Sequence, residues 1–135
     1  MSWRFVLTAF FMAHAAIQFS FVSPAPTPTP GAPAWPFDLS GSWLLGLLGA
    51  GGSATRGFGV GLLLLLSLGY AAAALVTIGV LPEQLSGASV ILGATASLVL
   101  LTLFFHPWLA LGVVIDLVLL ALVLATGWAP RWAGS

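Results

Sequence analysis

The chain has 135 residues, 60% of them hydrophobic and only 4% charged, with a formal net charge of zero. A soluble domain carries about 25% charged residues, so this composition cannot cover a water-facing surface, and it offers no electrostatic footprint for nucleic acid. The absence of cysteine excludes disulfides, thiolate metal sites and dithiol redox chemistry, and the length fits a single domain over 1–135.

A bilayer span needs about 20 mostly apolar residues. The sequence predicts such spans over 3–22, 57–81, 84–105 and 107–127. The first could instead be a cleaved signal peptide with Arg4 as its basic region. However, His14 and Gln18 interrupt the apolar stretch, which is longer than a usual signal core, so a retained span is expected. Residues 23–36, Ser-Pro-Ala-Pro-Thr-Pro-Thr-Pro-Gly-Ala-Pro-Ala-Trp-Pro, cannot be helical because each proline removes a donor and clashes with the preceding turn. This stretch is expected to run extended or as polyproline II. Residues 43–50 are apolar but too short to cross. They read as an interfacial helix capped by Ser40 or Ser42, with Gly51, Gly52 and Ser53 separating it from the second span. The breaks at Pro82 and at His106-Pro107 are short, so the last three spans must be antiparallel neighbours, and a proline at the start of a new helix is well tolerated. The expected fold is an all-α, up-down-up-down membrane four-helix bundle.

The six tryptophans fall near predicted span ends, where indole rings favour the headgroup level. Trp3, Trp128 and Trp132 are expected at one interface, and Trp35, Trp43 and Trp108 at the other. Arg4 and Arg131 share one side and Arg56 lies on the other. The positive-inside rule therefore puts both termini in the cytoplasm and the proline-rich loop outside.

An ionisable residue inside a span is a functional hypothesis by default. His14 and Asp116 both fall roughly 16 Å from the terminal edge, at 1.5 Å per residue in a core of about 30 Å. A contact between them is expected, because the first and last spans are adjacent in such a bundle. Gln18 lies one turn from His14 on the same face. Ser67 and Tyr70 on the second span, with Thr95 and Ser97 on the third, can complete a polar layer drawn from all four helices. The residues leave two readings open: a structural pair that fixes packing, worth about 0.6 to 2 kcal/mol, or a ligand or proton site. Small residues at Ser89, Gly93 and Ser97, at Gly57 and Gly61, and at Gly112 are expected to let helix backbones approach, within the bundle or toward a partner subunit.

Other chemistry is limited. His14 is mid-membrane and His106 lies at an edge, which disfavours a bis-histidine haem. Asp38, Glu83 and Asp116 are too far apart on the span map to form a carboxylate pair. No phosphate loop, nucleophile elbow or zinc motif is present, so a catalytic role is not the expectation.

Two stretches carry a family resemblance: Ala13-His14-Ala15-Ala16-Ile17-Gln18, and 105–117, which reads Phe-His-Pro-Trp-Leu-Ala-Leu-Gly-Val-Val-Ile-Asp-Leu. They resemble small uncharacterised bacterial four-span membrane proteins, similar in layout to DoxX-like proteins. Where that group often has His-x-x-x-His in the first span, this chain has Gln18 at the second position. The resemblance implies a bacterial inner-membrane protein and, since DoxX-like proteins include partners of quinone-linked oxidoreductases, a bound quinone or other lipophile near His14, Gln18, Tyr70 and Asp116. Fold likeness does not fix function. The leading expectation is a non-catalytic accessory or binding subunit of a larger membrane complex, touching lipid and partner subunits. A lipophile-binding redox component and a proton or small-ion pathway are the alternatives.

Overall fold

The computed structural model describes residues 2–129. Arg131 and Trp132 lie outside the described residues, so their expected places at the terminal face are not addressed. The chain is all-helical: α1 (Trp3–Gln18), α2 (Trp43–Leu47), α3 (Gly52–Thr77), α4 (Ser86–Leu103) and α5 (Ala110–Thr126). Single 3-10 turns extend α1 through Val22 and lead into α4 and α5. Four helical segments are long and apolar enough to cross a bilayer: Trp3–Val22, Gly52–Thr77, Glu83–Leu103 and Pro107–Thr126. This is an integral, multi-pass helical membrane bundle.

The helix ends follow local chemistry. The first span stops where Ser23 turns extended (ψ 147°) ahead of Pro24, the conformation a following proline imposes. Ser42, one of the two expected caps, accepts from the Leu45 amide to start α2. The second span differs from its expected bounds of 57–81. It starts five residues earlier, because Gly51 and Gly52 supply the turn into the helix rather than a gap. It also ends four residues earlier, because Gly79 adopts a left-handed φ of 80°. There the Val80 amide returns to the Leu75 carbonyl and the Gly79 amide to Val76, closing the helix end. Pro107 opens the turn before α5, while the His106 imidazole accepts from the Trp108 amide.

α1 packs on α3, α3 on α4, and α4 on α5, in alternating directions. The row is curved. Among the described residues, α1 and α5 share no comparable helix–helix interface; the adjacency expected of them is carried by the contact between His14 and Asp116. The core is drawn from Phe11, Leu63, Leu66, Tyr70, Val90, Ala94 and Leu100, all at most 2% exposed.

The tightest crossing lies between α3 and α4. A Cβ added at Gly69 would stand 2.3 Å from the Gly93 amide nitrogen and 2.9 Å from the Ser89 carbonyl oxygen. Of the expected packing residues, Ser89, Gly93 and Ser97 are buried on the face of α4 toward α3, and Gly112 faces Leu101 between α4 and α5. Gly57 and Gly61 do not pack within the bundle. Nothing lies within 4 Å of a Cβ at either, whereas Gly59 between them meets Leu39 and Phe104. Residues two apart on a helix point about 200° away from each other, so the inward Gly59 forces its two flanking glycines outward.

Between Ser23 and Ser42 there is one turn, in which the Ala32 amide donates to the Thr29 carbonyl, and no helix or strand. The loop nevertheless folds back over the bundle end. Leu39 is 1% exposed, and Phe37 stands edge-on to Phe21, which in turn meets Phe104. The short helix α2 is tied down by two side-chain bonds to the end of α4: Ser42 Oγ donates to the Leu103 carbonyl, and Trp43 Nε1 to the Thr102 carbonyl.

Candidate functional site

One buried polar layer joins the four long helices. α5 supplies Asp116, which is 0% exposed. His14 Nε2 of α1 lies 3.0 Å from its Oδ1. The Tyr70 hydroxyl of α3 donates to the same oxygen, and the Ser97 hydroxyl of α4 donates to Oδ2. Ser97 in turn accepts from Gln18 Nε2 of α1 at 2.5 Å, and that nitrogen lies 3.5 Å from His14 Nε2. The carboxylate thus has three partners on three other helices. A carboxylate in hydrocarbon without such partners costs several kcal/mol.

Small and aromatic neighbours shape this arrangement. The Tyr70 ring lies against α4 while its hydroxyl reaches Asp116. Gly93 provides the path, since a Cβ there would stand 2.9 to 3.1 Å from three ring carbons of Tyr70. Ser97 follows one helical turn later on the same face, where the hydroxyl group of the tyrosine ends. The His14 ring is stacked near-parallel on Phe10, with centroids 5.9 Å apart, and stands edge-on to Tyr70 at 5.1 Å. Both contacts fix the direction of Nε2. One atom of the layer is unserved: Gln18 Oε1 is buried with no hydrogen-bond partner.

Five of the seven expected layer residues are brought together: His14, Gln18, Tyr70, Ser97 and Asp116. Ser67 is not among them. It is half-buried at the rim of the inward face of α3 and donates to the Leu63 carbonyl of its own helix, a common resort for serine in a span. Thr95 also falls outside the layer, exposed on the far side of α4 from Ser97. Sequence reasoning missed Phe10 and Gly69. Gly69 carried a readable signal, because Gly69 and Ala73 form a small-x-x-x-small pair of the kind that marks helix contacts.

A bound quinone or other lipophile would need room beside these side chains. Tyr70, Ser97 and Asp116 are each 0% exposed and the ring of Tyr70 fills the space over Gly93. The cavities are lined by other residues: the largest, about 560 Å³, by Trp43, Thr102, Phe105 and Val113, and two of 480 to 490 Å³ around Trp35 at the loop end. The layer as it stands does not fit a lipophile head, and Gln18 Oε1 is a buried polar atom of the layer without a partner.

Compared with family models, with curated proteins and with solved structures, the chain matches none. The fold and the layer together define a multi-pass membrane bundle whose four long helices share one buried carboxylate.

Proposed function

We propose that this chain is a non-catalytic accessory or binding subunit of a larger membrane complex, in the bacterial inner membrane with both termini in the cytoplasm. The observation that carries the reading is the closure of the polar layer. Its carboxylate is saturated by His14, Tyr70 and Ser97 and has no access for a substrate, so the layer serves as a lock between helices rather than a reaction site. The outward face of α3 adds support. Gly57 and Gly61 leave bare backbone facing away from the bundle, and lipid gives helices no hydrophobic reason to associate other than such close approach.

Native mass measurement of the full chain after mild detergent extraction tests this reading. A stable assembly with another membrane protein is expected. It should be lost in Gly57→Leu/Gly61→Leu, with the melting temperature of the isolated chain unchanged because neither position packs inside the bundle. A strictly monomeric wild-type chain would contradict the reading.

A DoxX-like role, with a lipophile bound in the bundle, is the second reading. It draws on the resemblance around His14 and 105–117, and on Gln18 Oε1, which would accept a hydrogen bond from a ligand hydroxyl once the helices part. Its test is retention of ubiquinone or menaquinone by the purified protein, lost in Gln18→Leu. Proton passage has less support, since the layer is one level deep and, among the described residues, no ionisable side chain within the spans continues it toward the terminal face.

A further inference from the structure

At the loop end, a second site is built from residues the polar layer does not use. A cavity of about 490 Å³ opens between the start of the proline-rich loop, the end of the first span and the start of α3. It is within the range of small-molecule sites, roughly 300 to 1,000 Å³. Its walls include the rings of Phe21, Trp35 and Phe37, and its only charged lining groups are Asp38 and Arg56. These two opposite charges share one cavity without forming an ion pair with each other. Asp38 is held by its own loop, where Oδ1 accepts from the Ser40 amide at 2.8 Å. Arg56 sits at the start of the 26-residue α3, whose free amides add partial positive charge on the same side. The indole Nε1 of Trp35 is buried there without a partner.

A cation and an anion held apart in one aromatic-walled cavity match a ligand that carries both charges, with the anion at Arg56 and the cation at Asp38 and the ring faces. The position of the cavity selects the source. Trp35, Trp43 and Trp108 lie at this end of the bundle, the level at which indoles meet headgroups. Phe19 and Phe58, each two residues along the chain from a lining residue, Phe21 and Arg56, are 44% and 51% exposed and offer apolar surface along which acyl chains can lie. We propose that this cavity holds the headgroup of a zwitterionic phospholipid bearing a primary amine, its phosphate at Arg56 and its ammonium at Asp38.

Native mass spectrometry of the full chain, incubated with equal amounts of phosphatidylethanolamine and phosphatidylglycerol of matched acyl chains, tests the proposal. The wild type should retain the amine-bearing lipid about threefold to fivefold over the glycerol lipid, the scale of a partly exposed charge contact. Asp38→Asn keeps the oxygen that accepts from Ser40, and should bring the ratio to about one while both lipids still bind through their phosphates. Arg56→Gln should lower retention of both. Both side chains are exposed, so both variants should melt with the wild type. Equal retention by the wild type, or an unchanged ratio in Asp38→Asn, would overturn the proposal. Soluble glycerophosphoethanolamine that displaces the lipid at equal concentration would also overturn it, by showing that the source is a free zwitterion.

Discussion

His14 Nε2 and Asp116 Oδ1 lie 3.0 Å apart between α1 and α5, two long helices that share no extended interface of the kind that joins α1 to α3, α3 to α4 and α4 to α5. Elsewhere in the row, neighbouring helices are held by backbone approach and apolar packing. Between α1 and α5 the polar layer supplies the closure, so substitutions in that layer should loosen the bundle without altering its span topology.

Tyr70→Phe removes the hydroxyl that donates to Asp116 and keeps the ring that fills the space over Gly93. The expected loss is about 1 kcal/mol, the net worth of one buried hydrogen bond, read as a lower melting temperature in detergent. Tyr70→Ala should cost several times more, about 3 to 5 kcal/mol, because it also empties the core between α3 and α4.

The glycines should divide sharply. Gly69→Ala drives a methyl group into the Gly93 backbone, which cannot turn aside, and Gly93→Ala pushes on the Tyr70 ring. Each should cost about 1 to 3 kcal/mol, the range for overpacking, and Gly69→Ala should be the worse. Gly57→Ala and Gly61→Ala meet open space and should be neutral or up to about 1 kcal/mol stabilising, since alanine is the better helix former. Thermal melting of the four variants checks the order.

Serine positions on α3 and α4 give a paired control. Ser97→Ala breaks the link from Gln18 to Asp116, leaving Oδ2 without its partner and Gln18 Nε2 with only the 3.5 Å contact to His14. It should cost about 1 to 3 kcal/mol, as for buried groups left unsatisfied. Ser67→Ala removes only a bond back to its own helix and should change the melting temperature little.

These contrasts mark how far the sequence could be read. Residue counting along the spans placed His14 and Asp116 at one depth, because a helix rises by a fixed increment and a bilayer has a fixed thickness. The same counting could not give helical phase. Ser67 is three residues from Tyr70 and yet falls at the rim, and the Gly57–Gly61 pair points outward because the inward position between them is Gly59. Nor could it give the manner of the contact between the first and last spans, which is made by His14 and Asp116 without the extended packing that joins the other neighbours. The loop cap built on Leu39 was hidden as well, since proline content shows that a segment is not helical without showing what it folds against.

Tryptophan depth tests the placement in the membrane. Trp3 starts α1 and Trp128 follows α5 at one end, while Trp35, Trp43 and Trp108 lie at the other. Fluorescence in vesicles should be quenched more by lipids brominated near the headgroup than by lipids brominated near the chain ends. Stronger quenching from the chain ends would mean that the spans are wrongly placed.

The central claim, that the polar layer is a lock between α1 and α5, is tested most directly by a double-mutant cycle on His14 and Asp116. Wild type, His14→Ala, Asp116→Ala and the double variant would be melted in the same detergent. A locking pair predicts that the double variant loses less than the sum of the singles, with a coupling of about 0.6 to 2 kcal/mol, the range for polar contacts between membrane helices. Additive losses, with no coupling beyond about 0.3 kcal/mol, would contradict the account.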